Sequence, residues 1–444
     1  MIDRDGLGQA VTGAGPDGVR QYETALHQLQ CYIGDPVATI DRAIRDYPDF
    51  VMAHVLRAYL HLLGTEPEAI AVARESYRAA AALAADRRER GHIDAVGQLV
   101  DGCWQAAGRT LEDVAIEHPR DVLALQAGHL IDFYTGASRM LRDRIARALP
   151  AWHDGMPGHH AVLGMYAFGA EENGDYATAE AFGRRAVERE PRGGWGWHAV
   201  AHVMEMQGRQ RDGIGWLRAN PAAWSEDSFF RVHIWWHLAL YHLDLGEVDE
   251  VLALFDGPIY GERSAVVLDM IDASALLWRL HLRGVDFGRR WDTLADNWEP
   301  LADAGTYAFN DAHAMMAFVG AGRSQAIDRV FSAQAEALQG MADNAAFTRD
   351  VGDPVTRAIR AFGDEDYDEV MRLLRPVRNI AHRFGGSHAQ RDVLDLTLIE
   401  AALRSGQSAL AKALAAERMA AKPSSPLAQL FFSRATAAER FPPA

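Results

Sequence analysis

Residues 194–205 read GWGWHAVAHVME and place His198, His202 and Glu205 at i, i+4 and i+7. On a helix these positions share one face. Two imidazoles beside a carboxylate suit proton transfer, because the carboxylate fixes a histidine's tautomer and raises its basicity. The same trio has donors for Zn²⁺ or Fe²⁺, although H-x₃-H-x₂-E is neither the H-E-x-x-H of zinc proteases nor the E-x-x-H of di-iron bundles. A second pair, His233 and His237, follows at i and i+4 in HIWWH, with Trp235 and Trp236 between them. His159 and His160 open another segment, GHHAVLGMYAFGAEE, which ends in Glu171 and Glu172. Exposed N–H groups at such a helix start favour an anion. In RFGGSHAQRDVL (383–394), Ser387, His388, Gln390 and Arg391 follow a glycine pair. They read as an anion-binding lip in which Arg391 takes a carboxylate, or, for Ser387, as a plain helix N-cap. Ser387 and His388 do not form a catalytic pair, because adjacent helical residues point apart.

The elements that must carry these residues are helices. Ala/Leu/Arg/Glu segments with 3.6-residue periodicity, broken by Gly or Pro, dominate, and strand signals are scarce. The expected fold is all-α. The segment HAVLGMYAFGAEENGDYATAEAFGRRAVEREP (160–191) puts Ala167, Gly174, Ala179, Ala186 and Pro191 at the small-residue, turn and closing-proline positions of a 34-residue tetratricopeptide repeat. Gly136, Gly174, Gly208 and Gly246 repeat that turn, and Pro423 follows Gly406 at the Gly174-to-Pro191 offset. Weaker units centre on Gly64, Gly108, Gly322 and Gly363. The expectation is an α-solenoid of about nine helical hairpins, a right-handed superhelix that stays open or closes around a central pocket. Residues 1–18 are expected to be a flexible lead, 19–435 one repeat domain, and 436–444 a loose tail; 150–158 and 256–266 read as loops set onto the array.

In such arrays the first helices of successive hairpins line the concave face. Repeat numbering places His198, His202, Glu205, His233, His237, Glu171 and Glu172 there. They are expected to converge, with Trp197 and Trp236 as aromatic walls or as packing between hairpins. A mostly apolar concavity with a few convergent polar groups is the usual form of a small-molecule site.

Composition removes several functions. The formal charge of −16 lacks the basic footprint that nucleic acid or an anionic membrane requires. Only Lys412 and Lys422 represent lysine, and neither sits in a phosphate loop or a Schiff-base context. Cys31 and Cys103 form no CxxC pair, and no apolar run suits a signal peptide or a membrane span. These features lead us to expect a cytoplasmic protein.

The stretches GHHAVLGMYAFGAEENGDYATAE, GWHAVAHVMEMQGRQRDGIGWL, HIWWHLALYHLDLGEVDEVLALFD and GGSHAQRDVL resemble the tetratricopeptide repeat protein 38 family, over about residues 20–415. The resemblance implies a helical-repeat fold and marks the 198–205, 233–237 and 387–392 segments as family-defining; it transfers no catalytic role. The first expectation is therefore a small-molecule site, with His198, His202, Glu205, His233 and His237 as acid–base groups of a hydrolase or lyase and no cofactor. His159, His160, Glu171, Glu172, Trp197, Trp236, Ser387, His388, Gln390 and Arg391 would bind substrate. The alternatives are a peptide- or protein-binding scaffold, and a Zn or Fe enzyme using His198, His202 and Glu205. The tryptophan-rich surfaces fit a homodimer.

Overall fold

Gly136, Gly174, Gly208, Gly246, Gly284, Gly322 and Gly406 adopt φ between 67° and 81° in the computed structural model, which describes residues 2–440. This left-handed conformation ends a helix without strain only where no Cβ is present. From Gly136 to Gly322 these turns recur every 34 or 38 residues, each between two helices whose short connection makes them antiparallel. The result is an all-α solenoid of helical hairpins that falls into two compact units, residues 1–203 with 220–231, and residues 204–219 with 232–444. No described helix is long and apolar enough to cross a membrane.

The first unit contains α1 (Gly15–Cys31), α2 (Pro36–Asp46), α3 (Val51–Leu62), α4 (Ala69–Ala81), α5 (Arg87–Val100), α6 (Trp104–Glu117), α7 (Val122–Tyr134), α8 (Ser138–Ala148), α9 (His159–Glu171), α10 (Tyr176–Arg189) and most of α11 (Gly194–Met206). Neighbours in sequence pack on one another throughout, as α3 does on α4 and α9 on α10. Residues 2–18, expected to be a flexible lead, instead carry a hairpin of β1 (Ile2–Arg4) and β2 (Ala10–Thr12) and then the start of α1. The hairpin is tied to α5: Thr12 donates its N–H and hydroxyl to Glu89 at 2.7 Å, and Arg88 donates to the Ala10 carbonyl at 2.6 Å.

Buried ion pairs staple successive hairpins. Asp121 caps α7 and accepts from Arg88 at 2.6 Å and His92 at 2.9 Å. Arg144 on α8 donates twice to Asp132 on α7, at 2.7 and 2.9 Å, and once to the Gly108 carbonyl. Gly108 is therefore not the turn centre expected from its type. It lies inside α6, and the turn of that hairpin is Gly102 (φ 75°). Gly128 likewise makes room for charge, since a Cβ there would stand 2.7 Å from the Arg144 guanidinium.

The helices that follow are α12 (Gln210–Ala219), α13 (Pro221–Ser225), α14 (Arg231–Asp244), α15 (Val248–Leu254), α16 (Val267–Leu282), α17 (Arg290–Trp298), α18 (Ala308–Gly320), α19 (Ser324–Ala337), α20 (Asp343–Phe347), α21 (Asp353–Gly363), α22 (Tyr367–Val377), α23 (His388–Arg404), α24 (Ser408–Ala421) and α25 (Pro426–Arg440). All but α13, which belongs to the first unit, form the second unit, with the first residue of α14 at the division. Gly363 closes α21, and the left-handed residue of that turn is Glu365. The expected loops at 150–158 and 256–266 are irregular connections with single short helical turns. Of the expected tail, α25 covers residues 436–440, and residues 441–444 lie outside the described residues.

Within the second unit α16 packs on α18, α18 on α21, α21 on α23, and α23 back on α16. The inner helices thus close on one another. Trp278 bridges the closure by donating to the Thr397 hydroxyl at 3.0 Å.

This interior also buries Asp311 on α18, where loss of hydration pushes the carboxyl up to about 7 against the opposing hydrogen bond from Gln334. An acid whose folded pKa is raised contributes stability that is complete below the unfolded value of about 4 and is lost as pH rises through about 7. Denaturant unfolding across pH 4–8 should show that decline in the wild type. In Asp311→Asn the decline should flatten, with a gain of about 1–3 kcal/mol at pH 8.

Candidate functional site

The first unit gathers one of the two groups of expected residues. Helical spacing turns Glu171 of α9 towards His202 of α11, and His202 Nδ1 lies 3.5 Å from Glu171 Oε2 with both side chains wholly buried. Glu171, Glu172 and His202 offer ligand atoms within 4.8 Å of one another, a donor set able to hold a cation. His198 meets His202 edge-on at 4.4 Å and stacks on Phe168 at 5.3 Å. Trp197 is held by its own turn, its indole donating to the Pro191 carbonyl at 2.8 Å. His159 is buried against Trp152, 3.5 Å from Asp154, and burial lowers its pKa. His160 turns instead to Cys31, 3.4 Å away.

Glu205, His233 and His237 belong to the second unit, and each has a carboxylate–imidazole or ammonium partner there. Glu205 accepts from His237 Nδ1 at 3.3 Å through one oxygen and faces Lys422 at 3.6 Å with the other. His233 Nδ1 pairs with Asp272 of α16 at 2.8 Å. Burial holds His237 well below the ordinary histidine range, with the positive charges of His233 and Arg279 acting in the same direction. A neutral His237 pairs with Glu205 by carrying its proton on Nδ1.

Glu205 also lines a narrow cavity where α23, α24 and α25 return to α12, α14 and α16. The cavity measures about 30 Å³, room for about two waters. Three carboxyl groups (Glu205, Asp244, Asp392) and three cations (Arg279, Arg418, Lys422) line it. Arg418 forks onto Asp392 at 2.7 and 2.9 Å, and Lys422 faces Glu205. Asp244 accepts from the Ser425 hydroxyl at 2.5 Å and from Gln210, and burial raises its pKa, which favours the uncharged form. Arg279 has no carboxylate within ion-pair distance among the described residues. It donates to the carbonyls of Ala275 at 3.0 Å, Ala389 at 2.7 Å and Gln390 at 3.4 Å, and lies 5.4 Å from the centre of the buried Trp236 ring. An arginine stays ionised even here, so three cations face three carboxyl groups, and Arg279 feels Asp392, Glu205 and Asp272 only across space rather than through a hydrogen bond.

The C-terminal motif contributes the wall rather than the anchor. Ser387 and Gln390 form a reciprocal capping box at the start of α23, and Arg391 donates to the Gly386 carbonyl. His388 is half-buried at the same turn. Arg391 does not line the cavity; the arginine of α16 that does, Arg279, was passed over in the sequence. Its signal was present, since VLDMIDASALLWRLHL is apolar on nearly every face and still carries Asp272 and Arg279.

No known protein-family model matches the chain. Several solved structures are similar to it, three of them as follows. Human IFIT1, in its dimer with m7Gppp-AAAA, has a TM-score of 0.42 at 14% identity, over 95% of this chain and 94% of that one. The Naa15/Naa10 complex bound to HypK-THB gives 0.26 at 11%, over 96% and 66%. The P58(IPK) TPR domain gives 0.19 at 16%, over 88% and 99%. Such scores carry none of those proteins' partners to this chain, so function rests on the site itself.

The site makes a stability prediction. Asp132→Ala strands the buried Arg144 and should cost about 3–5 kcal/mol in denaturant unfolding. Arg279→Met strands no carboxylate, and the carbonyls of Ala275 and Ala389 keep their helical partners. It should cost less than about 2 kcal/mol.

Proposed function

We propose that this helical-repeat protein binds a small carboxylate in the cavity of its second unit, with Arg279 as the anchor. The observation that carries this reading is a buried guanidinium that lines a cavity and makes every hydrogen bond to backbone carbonyls. A buried guanidinium with no carboxylate in hydrogen-bond contact is costly, and a bound carboxylate would supply that contact in bidentate geometry. The cavity's size sets the ligand class: a carboxylate group, alone or as the tip of a slender molecule.

A second reading, acid–base turnover of the bound molecule, is favoured by the Glu205–His237 pair. Glu205 reaches the cavity as the proton acceptor, and the Nδ1–H of His237 behind it orients and stabilises that carboxylate. Scaffold binding of a peptide or protein remains the alternative, and the narrowness of this cavity argues for the small ligand.

Isothermal titration with acetate, beside chloride at equal ionic strength, separates these readings. The expected result is saturable one-to-one binding of acetate, weakened at least tenfold in Arg279→Met. Equal heats from acetate and chloride, or wild-type affinity in the variant, would contradict the anchor role. Adding acetate should also raise the melting temperature, and the rise should grow with the logarithm of acetate concentration once acetate exceeds its Kd.

A further inference from the structure

The sequence motifs leave Cys31 unexplained, and the first unit surrounds it with imidazoles. His27 and Cys31 stand at i and i+4 in the last turn of α1, and His160 is the second residue of α9. Cys31 Sγ lies 3.4 Å from His160 Nε2 and 3.8 Å from each ring nitrogen of His27. The two imidazoles meet edge to face at 5.8 Å, and the three donors all lie within 4.8 Å of one another. Burial grades outward: Cys31 is enclosed, His160 half-buried and His27 exposed.

These spacings match what a tetrahedral ion demands. Metal–sulfur and metal–nitrogen bonds of about 2.3 and 2.0–2.1 Å at a tetrahedral angle put S and N about 3.6 Å apart, between the two observed separations. An i, i+4 pair on one helix plus a third ligand from another element is an ordinary way to build such a site. A thiolate with two imidazoles selects a borderline-to-soft cation over Mg²⁺ or Ca²⁺, which prefer oxygen. The rival reading is a Cys–His nucleophile. It fits poorly, because the sulfur is wholly buried and has no exposed face for a substrate.

We infer that Cys31, His27 and His160 form a Zn²⁺-class metal site with three protein ligands, whose fourth position opens towards solvent beside His27. The ion would tie the end of α1 to the start of α9, two elements 129 residues apart in sequence.

Co²⁺ is the probe, because cobalt–thiolate coordination gives a near-ultraviolet charge-transfer band that carboxylate and imidazole sites lack. The full chain, tag removed and chelator-treated, should develop this band to one equivalent and lose it when Zn²⁺ is added. Cys103→Ser should retain the band. Cys31→Ser should abolish it, and His160→Gln, at a half-buried position, should weaken Co²⁺ affinity at least tenfold. No thiolate band in the wild type, or loss of the band in Cys103→Ser, overturns the inference even if Cys31→Ser fails to fold.

Discussion

An ionised guanidinium withdrawn from water costs several kcal/mol unless counter-charge and hydrogen bonds repay it, and the second unit is organised around that constraint at Arg279. The side chain leaves α16 towards the place where α23 to α25 return to the start of the unit. Only this return brings helix carbonyls from α16 and α23 to the same guanidinium. The Arg418–Asp392 fork and the Lys422–Glu205 contact belong to the same seam. They pair with one another there, and Arg279 is the cation of the seam that no carboxylate touches.

Elsewhere the fold completes its buried charges internally. Arg88, His92 and Asp121 satisfy one another across successive hairpins, and the Arg144–Asp132 pair closes the α7–α8 hairpin while Arg144 reaches the Gly108 carbonyl of the hairpin before it. Such pairs add little net stability over apolar replacements, but each is strongly destabilised by losing one partner. They therefore fix which hairpin faces meet. Arg279 differs from them in having no carboxylate to orphan, and the proposed ligand role rests on that difference.

Much of the fold was legible because its turns are chemically marked. A left-handed turn residue is nearly always glycine, so Gly136 to Gly246 showed the hairpin period, and Gly284 continues it. The reading failed where glycine served packing instead, at Gly108 inside α6, and where Glu365 took the left-handed position after Gly363. The histidine faces were legible from i, i+4 spacing. Their partners were not, because Glu171–His202 and His233–Asp272 are contacts between helices 31 and 39 residues apart. Arg279 and Cys31 were hidden differently. Each is a single residue whose meaning comes from what other helices bring to it, and periodicity records only the face on which it lies.

The most direct test is crystallographic. Crystals grown with and without acetate, compared by difference density, show whether a carboxylate occupies the cavity. The expected result is acetate density at the α16–α23 seam, with the carboxylate forked onto the Arg279 guanidinium. A fully ordered Arg279 with no acetate in that cavity, or acetate only at other sites, would contradict the anchor role.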